Sequence, residues 1–359
     1  MVVTEANPIV QTGITKQSKA TQDQPLVVWF ENCDISHVPM VGGKNASLGE
    51  MIQSLTKFGV NIPGGFATTA HAFRTFMKDT GLNDIIRDIL KGLNHSDVTQ
   101  LRKVGQDCRN AILSKDFPKQ LKDDITTSYL EMCKRYSDKQ GNDYTLIDVA
   151  CRSSATAEDL PNASFAGQQE TFLNVRSVEG VLEACKKCYA SLFTDRAISY
   201  RVNMGFDHNQ VALSVGVQYM VRSDLASSGV MFSIDTESGF KDTVLINGSY
   251  GLGENVVQGH VNPDEFLIFK PTLRDGFKKP ILEKKLGSKE IRMVYDMGGS
   301  KTVKNIPVPQ HERIKFSITD DQIIQLAKWA IIIEDHYSKK HDRFCPMDME
   351  VMVLYHLIL

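Results

Sequence analysis

Apolar residues fall at helical spacing at Leu48, Met51, Ile52 and Leu55. The stripe predicts a helix that opens at Gly42-Gly43-Lys44 and ends before Gly59, which stands where a left-handed residue beyond the C-terminus belongs. Pro63-Gly-Gly65 marks a turn, and a second stripe follows at Ala70, Phe73, Phe76 and Met77. Amphipathic patterns predict further helices within 83–93, 98–113 and 118–136. From about Tyr144 the period shortens to two. Segments 144–151, 171–175, 210–221, 229–233, 243–247 and 265–270 read as strands, the first ending in Arg152-Ser-Ser. A helical pattern returns over 319–339, where Asp320 and Asp321 suit the N-terminal turn. Residues 26–30 form a short strand-like run, whereas 1–25 are polar and aperiodic and read as a flexible tail. Helices and strands mixed without strict βαβ alternation predict an α+β (mixed α/β) fold with two lobes.

A chain of 359 residues with 42% hydrophobic content can bury a substantial core. Its formal net charge of −2 excludes a broadly basic nucleic-acid binder and a polyacidic disordered chain, while a local basic cleft stays compatible. No apolar run approaches the ~20 residues a membrane span needs. The N-terminus lacks the basic and apolar regions of a cleaved signal, so a soluble, cytoplasmic protein is expected. Seven cysteines spread through the chain are not the dense framework of a small secreted domain. Cys185-Lys-Lys-Cys188 has metal or redox spacing, but no second CxxC or paired His answers it, and its helical setting favours small buried side chains.

Four segments carry groups that a nucleoside triphosphate needs. Gly42-Gly43-Lys44 offers a close backbone approach and a point charge at a helix start, although it is no Walker A motif; Lys44 taken alone reads sooner as a surface lysine. Arg152, followed by the hydroxyls of Ser153, Ser154 and Thr156, presents a planar fork and short donors for phosphate oxygens, or else a solvated turn. In Ser164-Phe-Ala-Gly-Gln-Gln-Glu-Thr171, Gly167 permits backbone contact with phosphate and Thr171 can donate, or the segment is a plain hairpin loop. Asp348-Met-Glu350 places two carboxylates on one strand face, hard oxygen ligands of the kind Mg²⁺ requires, or a solvated edge. Gly251-Leu-Gly253-Glu-Asn-Val256 lacks the third glycine of a dinucleotide fingerprint, and Asp235-x-Glu237 lies amid turn residues.

Together these stretches resemble the nucleotide-binding domain of the PEP-utilising dikinases. The matching segments are VGGKNASLGEM at 41–51, RSSATAEDLPNASFAGQQETFLNV at 152–175, SLFTDRAISYR at 191–201, MVRSDLASSGVMFSIDTESGF at 220–240, NPDEF at 262–266 and GSKEIRMVY at 287–295. The resemblance covers about residues 26–350 and implies a two-lobed ATP-grasp fold, with an N-terminal lobe over 26–218 and a second over 219–359. It implies ATP and Mg²⁺ as cofactors. Lys44 and Arg152 would touch the phosphates and Gly167 and Thr171 would belong to the phosphate-covering loop. Gln218 would lie at the adenine edge, and Glu350 with Asp348 would hold the metal.

The resemblance further implies phosphoryl transfer to a histidine on a separate domain, then to pyruvate in a C-terminal barrel, giving AMP, phosphoenolpyruvate and phosphate. Rifampicin phosphotransferases share RSSATAEDLP and SFAGQQ but differ in acceptor; segment 231–240 fits the pyruvate-and-water form better, and pyruvate, phosphate dikinases come third. A non-catalytic nucleotide-binding fragment is the reading from another class. The pattern stops at Val351, before a strand with a Gln and an Arg-Pro that the family carries, and the phosphohistidine and pyruvate-binding domains have no counterpart. A C-terminally truncated module is therefore expected, with an uncovered apolar stretch at 351–359 that would favour self-association.

Overall fold

The computed structural model describes residues 24–137, 145–156, 159–160, 163–164, 170–208, 211–296, 302–354 and 357–358. The tail expected at 1–25 lies outside them up to residue 23. The first half of the chain runs through β1 (Val27–Trp29), α1 (Val38–Leu55), β2 (Gly65–Thr68), α2 (Ala70–Asp79), α3 (Leu82–Leu90), α4 (Val98–Leu113) and α5 (Lys119–Tyr136). There follow β3 (Val149–Ala155), the short pair β4 (Asp159–Leu160) and β5 (Ala163–Ser164), β6 (Thr171–Val175), α6 (Val178–Ser191), α7 (Asp195–Asn203) and β7 (Leu213–Tyr219). Five of these strands make an antiparallel sheet in the order β1-β2-β7-β3-β6. Its core is aromatic: Phe76, Phe117 and Tyr189 sit with ring centroids 4.9–5.9 Å apart beneath the helices. Helix α2 starts where Thr69 accepts a hydrogen bond from the Ala72 N–H, and it buries the predicted face of Ala70, Phe73, Phe76 and Met77.

The second half contains β8 (Ser227–Phe232), β9 (Thr243–Tyr250), α8 (Glu254–Val257), β10 (Asp264–Phe269), α9 (Lys270–Arg274), β11 (Ile281–Lys285), β12 (Ile291–Tyr295), β13 (Val303–Pro307), α10 (Gln310–Arg313), α11 (Asp320–His341), β14 (Asp348–Leu354) and β15 (Leu357–Ile358). Six strands form a second antiparallel sheet, β11-β10-β9-β8-β14-β15, while β12 and β13 pair as a hairpin. Helix α11 covers this sheet, packing Ile323, Leu326 and Ala330 against Ile246, Phe266 and Ile268. Its ends follow the sequence closely. Thr319 and Gln322 form a capping box, acids occupy the first turn and Lys339, Lys340 and His341 the last.

Four expectations need correction. Helix α1 begins at Val38 rather than at the glycines, and Gly42 interrupts it with φ +75° and ψ 164°, so Gly43 and Lys44 open its second segment. Strand β3 starts at Val149 and continues through Arg152 to Ala155, because β7 pairs with it along this whole stretch and β6 as far as Arg152. Strands β11 to β13 gave no signal in the pattern. Val351 and Val353, expected to be uncovered, are buried because their face of β14 joins the apolar cluster that contains Ile323, Leu326 and Ala330 of α11. Cys185 and Cys188 are buried in α6 as small apolar side chains.

Candidate functional site

Helix α1 is locked to the first sheet beside Lys44. Asn45 is buried and donates through Nδ2 to the Val41 carbonyl (3.0 Å) and to Ser214 Oγ (2.9 Å). Ser214 in turn donates to the Thr68 carbonyl at 2.6 Å, so β2, β7 and α1 share one satisfied polar network. Gly216 makes room for it, since a Cβ there would lie 2.2 Å from Asn45 Oδ1. Gly42 meets β3 with equal closeness, 2.2 Å separating its would-be Cβ from Ser154 Oγ. These contacts bring Lys44 to the same end of the sheet as Arg152.

Strand β14 supplies the acidic side. Asp348 and Glu350 share a face while Met349, Val351 and Val353 point into the core, the alternation that period two demands. Arg152 Nη2 meets Glu350 Oε2 at 2.7 Å across the gap between the sheets. The Arg152 guanidinium holds the Glu350 carboxyl below its ordinary range, and the charge of Lys44 acts in the same direction. Asp348 goes the other way, pushed up by burial and by the Glu350 charge beside it. Lys44, Arg152, Asp348 and Glu350 thus form one electrostatic group. Arg152 Nε is buried with no hydrogen-bond partner among the described residues.

Arg152, Thr171, Gln218 and Glu350 also line a cavity of about 450 Å³ between the sheets, a size suited to a cofactor-scale ligand. An apolar patch lies in its walls as well: Ala150, Leu173, Met220 and Leu252 belong to one cluster that continues into Met293 and Tyr295. Gln218 is nearly buried and gives Nε2 to the Pro63 carbonyl at 3.0 Å. Gly167 lies outside the described residues. The hydroxyls after Arg152 are not offered to a ligand. Ser153 donates to the Glu170 carbonyl and Thr156 to that of Ala212, while Ser154 is buried against Gly42, because the strand carries them into the sheet.

Glu170 and Glu254 line the same cavity and were missed by sequence reasoning. Glu254 stands in the Gly251-Leu-Gly253-Glu segment set aside for lacking a dinucleotide fingerprint. The signal was present in another form: Gly251 has φ +84° and lies so close to β12 that a Cβ would be 2.5 Å from the Met293 carbonyl, which turns Leu252 and Gly253 into the cleft. A second omission is the link 220–226 that joins the sheets. Arg222 grips Asp224 through two hydrogen bonds of 2.8 and 2.9 Å and lies 4.4 Å from the centre of the Tyr295 ring. Among the described residues no three His, Cys, Asp or Glu side chains converge as a metal cage.

Residues 38–355 match the family model described as pyruvate phosphate dikinase, AMP/ATP-binding domain. The chain belongs to this family. All the charged residues of the cleft fall within the matched span of this AMP/ATP-binding domain. Among its relatives, the phosphoenolpyruvate synthase of Synechocystis is 59% identical over 342 residues, 95% of this chain and 41% of that protein. The phosphoenolpyruvate synthases of Aquifex aeolicus and Escherichia coli are each 52% identical, over 92% and 91% of the chain and 38% and 40% of their own lengths. The chain therefore spans about two-fifths of the length of the curated relatives it matches.

Proposed function

We propose that the cleft binds ATP between two lobes in the ATP-grasp manner, the N-terminal lobe over 26–218 and the second over 219–359. In this reading the chain is the nucleotide-charging part of a phosphoenolpyruvate synthase, a cytoplasmic enzyme of gluconeogenesis. The whole reaction would be ATP, pyruvate and water giving AMP, phosphoenolpyruvate and phosphate, carried by a histidine and a pyruvate site on other domains. The observation that carries the reading is the pairing of Arg152 with Glu350 in the wall of a cavity that also has an apolar cluster, with the charge of Lys44 acting on Glu350. A purine fits between Ala150, Leu173, Met220 and Leu252 with Gln218 at its edge, and the triphosphate then reaches the cations.

Asp348 and Glu350 fit a magnesium ion. They are adjacent hard oxygen donors on one strand face, and the raised Asp348 carboxyl shows two like charges that a cation between them would relieve. Bound there, the ion would supply charge neutralisation on phosphate oxygens. Lys44 and Arg152 would hold the same oxygens, Arg152 through the Nε that lacks a partner among the described residues and through a guanidinium whose geometry suits phosphate. Thr171 and the segment around Gly167 would cover the phosphates from solvent. Catalysis here is positioning and charge neutralisation around the transferring phosphoryl group.

Isothermal titration of ATP with Mg²⁺ tests the site. Lys44→Ala and Arg152→Ala should each weaken binding by about tenfold or more, as loss of a charge-assisted hydrogen bond predicts, with unchanged thermal unfolding. Wild-type affinity in both variants would refute the assignment. A separately supplied phosphohistidine domain should become labelled from ATP; nucleotide binding without labelling would support the non-catalytic alternative.

A further inference from the structure

Besides the contacts that line the cleft, two joins hold the sheets together. The covalent link is 220–226. The second join is a seam between α1 and α11, centred on Glu50, a buried carboxylate on the same helix as Lys44 and six residues beyond it. Its Oε1 is 2.7 Å from His336 Nε2 and accepts from Ser54 Oγ at 3.2 Å. Its Oε2 accepts from Lys340 Nζ and from the Ile35 N–H. Tyr337, on the same face of α11, donates its hydroxyl to the Ser47 carbonyl at 3.3 Å. Leu55 of α1 is buried in the core of the second sheet, although Val41 and Ala46 pack against the first.

The position of α11 passes directly into β14. After the helix ends, the Cys345 N–H donates to Ser338 Oγ (3.0 Å) and the Met347 N–H to Ser233 Oγ (2.8 Å), so the turn is pinned to α11 on one side and to the end of β8 on the other. Asp348 follows at once. The path from Lys44 to Glu350 that avoids the cleft therefore runs through α1, Glu50, His336 and Lys340, α11 and this turn. Because the carboxylate is buried, losing either partner leaves polar groups unsatisfied inside the seam rather than merely loosening a surface pair.

We propose that Glu50 is a positioning residue: through His336 and Lys340 it sets the spacing between the segment of α1 that carries Lys44 and the strand that carries Asp348 and Glu350. The inference deepens the ATP-site reading and rests on it for its consequence in binding, but the spacing itself is measurable without nucleotide. Nitroxide labels at Lys103→Cys and Lys285→Cys, both exposed, in a Cys345→Ser background would report the distance between the two halves by pulsed dipolar spectroscopy. Glu50→Gln and Lys340→Met should each broaden or shift that distribution, and the double variant should do no more than the worse single one. Identical distributions in Glu50→Gln and the parent would overturn the proposal.

Binding to the same proteins separates positioning from general destabilisation. Glu50→Gln should weaken the triphosphate analogue AMP-PNP with Mg²⁺ about tenfold while changing adenosine affinity less than about twofold, because only the phosphate end depends on the spacing. Parallel losses for both ligands would mean that Glu50 only stabilises the fold, and the proposal would fall. A parent chain that binds neither ligand would defeat the ATP-site reading, and the dipolar measurement would still decide the role of Glu50.

Discussion

His208 shows what a single residue can impose on the pH response of this chain. Its Nδ1 accepts from Arg201 Nε at 2.9 Å, and burial, followed by the Arg201 charge, pushes its pKa down to about 4. In the unfolded chain the imidazole takes up a proton near its ordinary value of 6.5. Between those two values the unfolded state binds more protons, so stability must fall as pH drops from about 6.5 towards 4. Glu50 and Glu350 have carboxyls lowered below 4.5, so their contributions vanish only at still lower pH. His208 therefore acts in the window from 6.5 to 5. In thermal scans the loss of melting temperature between pH 7.5 and 5 should be smaller by a few degrees in His208→Gln than in the parent. Equal losses would show that His208 is not the group responsible.

Among the elements, α1 departs most from its predicted form, and Gly42 is the reason. Alanine there would meet the backbone of β3 as well as a left-handed φ, whereas Gly59, with φ +80°, has nothing within 4 Å of a would-be Cβ. Gly59→Ala should cost about 1 kcal/mol from backbone strain alone, and Gly42→Ala clearly more because β3 must also move. Comparing urea midpoints of the two variants checks this, and equal costs would deny the contact with β3. Such contacts explain what was legible beforehand. The face of α2, both ends of α11 and the paired carboxylates of β14 each follow from a local period or cap. Strand β11 was not legible because Leu282, Glu283, Lys284 and Lys285 are all exposed on a sheet edge and show no alternation. Arg152 and Glu350 were both legible as site candidates, but their direct ion pair was not, because it forms only where two remote strands face each other. The hydroxyls after Arg152 misled because Ser and Thr signal a turn locally, while pairing by β7 made Ser153 and Ser154 part of a strand.

The molecule as a whole joins an apolar recess to a charged mouth, and both parts should be visible in its response to ligands. ATP with excess Mg²⁺, at about a hundred times its dissociation constant, should stabilise the native state by about 2.7 kcal/mol, a rise of several degrees in melting temperature. ATP with a chelator should raise it less, because Asp348 and Glu350 then repel the phosphates. Equal rises with and without chelator would argue against metal at that pair. The order of strands in the first sheet carries a further consequence, for how the protein is made. Its middle strand, β7, is the last of the five along the chain, and β14 fits beside β8 after more than a hundred intervening residues. A nascent polypeptide leaving the ribosome with β1, β2, β3 and β6 already extruded has edges waiting for a partner not yet translated. Assembly of this sheet must await that late arrival, and until then its unpaired edges are open to pairing with other chains.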